Sequence, residues 1–144
     1  MPAAARGTSR NATAPPAVGK TMNPGHTVTI TPSNLHVEVR IEGEKVAETD
    51  HPVLLEETGM PTRYYLPRED VRMDLLRPTN FKTECPFKGQ ASYWTLELGD
   101  AVHDGIVWSY ENPIPAAVGV AGLLCFYNDR VELRVDGEPQ PLRS

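Results

Sequence analysis

Cysteine is scarce in this chain of 144 residues: only Cys85 and Cys125 are present. Two cysteines cannot staple a disulfide scaffold, and they cannot fill a four-cysteine zinc site. They could pair with each other, but free thiols in a reducing cytoplasm are the simpler reading. Histidine is also sparse. His26, His36, His51 and His103 show no metal-ligand spacing to a second histidine or cysteine. Long apolar runs are missing too. A membrane-spanning helix needs roughly 18 apolar residues, and the best candidate, Ile114 to Tyr127, is broken by Pro115, Gly119 and Gly122. No G-x-x-x-x-G-K-[ST] loop and no GxGxxG turn is found, so neither common phosphate cradle is available.

Acidic residues are missing from one region only. Residues 1–25 hold Arg6, Arg10 and Lys20 and no acid. They contribute +3 to a net charge of −5, so the remainder carries −8. An acidic body argues against nucleic acid as a partner, because that grip needs clustered cations. One or two arginines holding a small anion are still compatible with it. The first 25 residues are rich in Ala, Pro, Thr and Gly and poor in large apolar side chains, the signature of a disordered tail. The expected organisation is a tail over 1–25, a β domain over 26–138 and a C-terminal tail over 139–144. The expected location is the cytoplasm, with no membrane partner and no cofactor.

What is present is period-two alternation. Val37, Val39 and Ile41 alternate with Glu38 and Arg40, and Glu42-Gly43-Glu44 reads as a tight turn into a returning strand. Val53-Leu54-Leu55 and Arg63-Tyr64-Tyr65-Leu66 read as short strands. Ser92, Trp94 and Leu96 share one face of a strand, opposite to Tyr93, Thr95 and Glu97. Ile106, Trp108 and Tyr110 alternate with Val107 and Ser109. Leu123, Cys125 and Tyr127 are followed by an Asn128-Asp129 turn, then by Val131, Leu133 and Val135, which predicts a hairpin. Arg68 to Val71 and Pro115 to Ala121 suit single helical turns. About eight short strands, with turn signals roughly every 8 to 12 residues, predict an all-β domain, a sandwich or folded-over barrel.

Four stretches resemble the DUF427 family: LLEETGMPTRYYLPREDVRMDLL (54–76), CPFKGQASYW (85–94), VWSYENP (107–113) and GLLCFYNDRVEL (122–133). The resemblance extends over roughly residues 28–136. It implies a compact β-rich single domain of the Mss4-like or β-tent kind. That group often holds structural zinc on paired CxxC motifs, which this chain lacks. The family has also carried a nucleotidyltransferase label. The residues do not support it, because no Gly-Ser turn followed by an Asp-x-Asp pair is present to hold two metals.

The cationic and aromatic side chains concentrate in these stretches. Alternation puts Arg63 and Tyr65 on one face and Tyr64 on the other. The expected function is binding of a small anionic or aromatic ligand by Arg63, Tyr65, Arg68, Lys88, Tyr93, Trp108 and Tyr110. Arginine can fork an anion, lysine can meet it as a point charge, and the rings supply flat walls. A second reading is an enzyme that uses Cys85 or Tyr93 with Lys88 as electrostatic partner. A third is an interaction or oligomerisation module built on an open strand edge.

Overall fold

The computed structural model describes residues 19–20 and 25–141. Expectations for most of residues 1–25 and for 142–144 lie outside them. The described residues form twelve strands: β1 (Gly19–Lys20), β2 (Val28–Pro32), β3 (Val37–Ile41), β4 (Glu44–Thr49), β5 (Val53–Glu57), β6 (Arg63–Leu66), β7 (Leu76–Cys85), β8 (Gly89–Leu98), β9 (Ala101–Ser109), β10 (Leu124–Phe126), β11 (Glu132–Val135) and β12 (Glu138–Pro139). Three short 3-10 turns interrupt them, at Arg68–Asp70, Met73–Leu75 and Pro115–Val120. The domain is all-β, as its alternation predicts. Among the described residues no helix is long and apolar enough to cross a membrane.

Two antiparallel sheets carry the fold. The larger runs β1-β2-β5-β6-β10-β9-β8-β7, and the smaller runs β12-β11-β3-β4. The β3–β4 hairpin closes through Glu42 at φ 52° and Gly43 at φ 81°. Two successive left-handed residues make the turn whose twist matches the flanking strands.

Alternation along the strands sorts the core into two clusters, one on each face of the larger sheet. Leu66, Leu96, Val107, Leu124 and Phe126 pack against Val37, Val39, Ile41, Val46 and Leu133 of the smaller sheet. Val28, Ile30, Leu55, Tyr65, Trp108, Tyr110 and Cys125 gather on the other face, with Ala117 and Val120 of the third 3-10 turn. Each fully buried Leu or Ile contributes about 1.5–3 kcal/mol. The first face is sealed by a second sheet. The second has no such sheet over it among the described residues; the third 3-10 turn and partly buried side chains such as Phe87, Tyr93 and Ile114 pack there, and the candidate site lies on that face.

Two expectations need correction. Asn128-Asp129 does reverse the chain, but β10 and β11 do not pair. β10 is already flanked by β6 and β9, so it has no free edge. The chain instead leaves the larger sheet, and Leu133 pairs with Val39 in the smaller one. The second is β7, over residues for which no strand was expected. It is an edge strand of the larger sheet, and an edge tolerates a residue without an N–H. Its register against β8 slips between Pro78 and Lys82.

Candidate functional site

Strand register builds the site. Val53 stands opposite Tyr65, Tyr65 opposite Cys125, Cys125 opposite Trp108, and Trp108 opposite Tyr93. Directly paired residues share a face, so five strands present one continuous row. A step of two along each strand adds Arg63, Tyr110 and Tyr127 to that face. Lys88 arrives from the β7–β8 turn. Its N–H donates to the Cys85 carbonyl at 3.1 Å, and its carbonyl accepts from Ile114 N–H at 3.0 Å. Gly89 permits this approach: its φ is +119°, and a Cβ there would lie 3.2 Å from Ile114 N and Pro113 Cα.

These side chains enclose a cavity of about 150 Å³, lined by Glu57, Met60, Arg63, Tyr65, Lys88, Tyr93, Trp108, Tyr110 and Tyr127. Six of the seven expected ligand-binding residues therefore meet in one concavity. Arg68 does not. It follows Pro67 in a 3-10 turn, where strand alternation no longer sets direction, and it reaches Glu111 and the Gly122 carbonyl instead. Tyr64 packs on the opposite face, as alternation requires.

Arg68 provides an internal comparison for Arg63. Each guanidinium carbon lies 5.2 Å from an indole centroid, Arg63 over Trp108 and Arg68 over Trp94. Arg68 is partly exposed, and its charge is met by Glu111. Arg63 is only 9% exposed, and its Nη1 has no hydrogen-bond partner. Among the described residues no acid pairs with it. A buried donor left unsatisfied costs about 1–3 kcal/mol, and more when charged.

The second cation, Lys88, is neutralised. Its Nζ donates to Glu57 Oε1 at 2.5 Å, with both side chains 12% exposed. His26 meets the other oxygen of Glu57 at 2.9 Å and stacks on Phe87, with centroids 4.0 Å apart. Burial works to raise the Glu57 carboxyl, but hydrogen bonds and charge from Lys88 and His26 hold it below its ordinary value. Three phenols, those of Tyr65, Tyr110 and Tyr127, stay protonated. Burial drives Tyr65 and Tyr110 upward, and Tyr127 is pushed up to about 12 by burial and by Tyr93. Trp108 Nε1 donates to the Tyr65 hydroxyl at 3.0 Å, and Tyr93 shares a hydrogen bond with Thr83 at 2.9 Å.

The catalytic candidates fall differently. Cys85 is half-buried at the end of β7. The Lys88 ammonium is committed to Glu57 rather than to this thiol. Cys125 lies in the floor, fully buried, with its thiol pushed up to about 12 by burial. Among the described residues no group of three or more His, Cys, Asp or Glu could hold a metal ion.

Sequence reasoning did not place Glu57, Met60 or Tyr127 in the site. Two signals pointed to Glu57 and Tyr127, and none to Met60. Val53, Leu55 and Glu57 alternate onto the pocket face of β5, and Tyr127 continues the alternation from Cys125. No curated protein matches the chain. The family model described as a domain of unknown function, DUF427, matches residues 29–137, which is most of the chain and every residue lining the pocket, and the chain belongs to that family.

Proposed function

We propose that this domain binds a small molecule bearing one anionic group, and that Arg63 receives it. The observation that carries this reading is the buried Arg63 Nη1 with no hydrogen-bond partner. Lys88 and Glu57 pair with each other, which leaves Arg63 as the pocket cation without an acidic partner among the described residues. Planar carboxylates and phosphates suit the guanidinium fork. Protonated tyrosines supply hydroxyl donors around it, and Trp108, Tyr110 and Tyr127 supply flat apolar walls.

Thermal unfolding in benzoate and in benzamide tests the reading. The two probes share size and ring and differ in charge. A ligand at 100 times its Kd stabilises the folded state by about 2.7 kcal/mol, so benzoate should raise Tm by several degrees and benzamide should not. Equal responses to the two compounds, or none to either, would end the proposal.

A further inference from the structure

A wider groove of about 640 Å³ adjoins the Arg63 pocket. Tyr93 and Tyr127 line both. The pocket alone, at about 150 Å³, holds roughly the liquid volume of five waters. That suits a carboxylate or a phosphate and little more. Sites that enclose a whole organic ligand run to about 300–1,000 Å³, and the groove falls in that range.

The groove has an aromatic wall. Phe81 is 61% exposed and lies against Tyr93, with centroids 5.1 Å apart. It stands there because the register slip in β7 lifts Thr79 to Phe81 out of the ladder. Thr79 fixes the bulge: its Oγ1 donates to the Tyr93 carbonyl at 2.9 Å and accepts from Phe81 N–H at 3.2 Å. Arg130 lies over the Tyr127 ring, 6.0 Å from its centroid, and donates to the Asp104 carbonyl. Asp104 and Asp129 also line the groove, and among the described residues neither carboxylate forms an ion pair. The groove therefore carries two acids against one arginine, opposite in sign to the pocket beside it.

The geometry points to one bipartite site. It takes an aromatic molecule with a single carboxylate or phosphate monoester at one end and hydroxyl or amino donors at the other. The anion meets Arg63, the ring lies between Phe81 and Tyr127, and the donors face Asp104 and Asp129. This inference rests on the reading of Arg63 given above and adds the body of the ligand to it.

Isothermal titration with benzoate, 6-hydroxy-2-naphthoate and 2-naphthol tests it, and phenyl phosphate and 2-naphthyl phosphate repeat the comparison for the other anion. The naphthoate should bind about tenfold more tightly than benzoate, the gain expected of one added stacking contact. Phe81→Ala, an exposed substitution that the core does not feel, should abolish that gain. A naphthoate no tighter than benzoate, or a gain that survives Phe81→Ala, overturns the bipartite site and leaves the Arg63 reading standing. If 2-naphthol binds as well as the naphthoate, or no anion binds, the Arg63 reading itself falls and the bipartite site with it. The stronger of the carboxylate and phosphate series identifies the anion.

Discussion

Replacing Arg63 with methionine separates what the guanidinium costs the fold from what it gives the ligand. Methionine keeps much of the length of the arginine stem and places a thioether near the Trp108 ring. Three terms compete. Removing a buried donor without a partner recovers about 1–3 kcal/mol. Losing the cation over Trp108 gives up about 0.5–2 kcal/mol, and a sulfur-to-ring contact restores about 0.3–1.5 kcal/mol. The central values leave the ligand-free variant more stable by about 1.7 kcal/mol. With a urea m-value of about 1–3 kcal/mol/M, the midpoint should rise by about 0.8 M. Urea titrations followed by circular dichroism, with and without benzoate, measure both halves. The expected result is a higher midpoint without benzoate and no further rise when benzoate is added. A variant that loses more than about 1 kcal/mol without ligand would show the guanidinium to be a structural contact, as would an undiminished response to benzoate.

Two further predictions concern the supports of the site. Glu57→Gln leaves the Lys88 ammonium half-buried without its acid, and should cost about 2–3 kcal/mol near neutral pH, somewhat less than a fully buried pair. Adding Lys88→Met should recover much of that loss, and denaturant midpoints of the two single variants and the double variant measure the coupling. The pH dependence follows from the depressed Glu57 carboxyl. Its contribution is fully present above the unfolded carboxylate pKa of about 4.3 and is lost as pH falls through the lower folded value. Stability of the natural protein should therefore drop below pH 4.3 more steeply than that of Glu57→Gln, and parallel curves would contradict the assignment. Gly89→Ala forces a side chain onto φ +119° with backbone atoms 3.2 Å away. A loss of about 1–3 kcal/mol is expected, together with weaker benzoate binding because the Lys88 turn must shift. A neutral Gly89→Ala would mean that the turn tolerates rearrangement.

Much of the site could be read from the sequence because period two fixes a face. Arg63 with Tyr65, Trp108 with Tyr110, and Cys125 with Tyr127 each lie two apart on a strand or its immediate continuation, and each pair faces the cavity or its floor. The reading failed where the strand ended. Arg68 looks like a neighbour of Arg63 in sequence, but Pro67 starts a new backbone conformation between them. Strand pairing was less legible than strand existence. Asn128-Asp129 announces a reversal without saying which sheet receives the chain, because that depends on which edges are already taken. The role of Glu57 was hidden for a related reason. Its partner Lys88 is 31 residues away, and no local pattern carries that distance.

The two indoles have a practical consequence. Trp94 and Trp108 lie on opposite faces of one sheet, each beneath an arginine at the same 5.2 Å. A charge arriving at Arg63 alters the electric field at Trp108 and hardly touches Trp94. The domain thus holds a matched pair of fluorophores, one a sensor of its own cavity and the other a reference, and an emission shift confined to half of the signal would mark the arrival of a guest without any added dye.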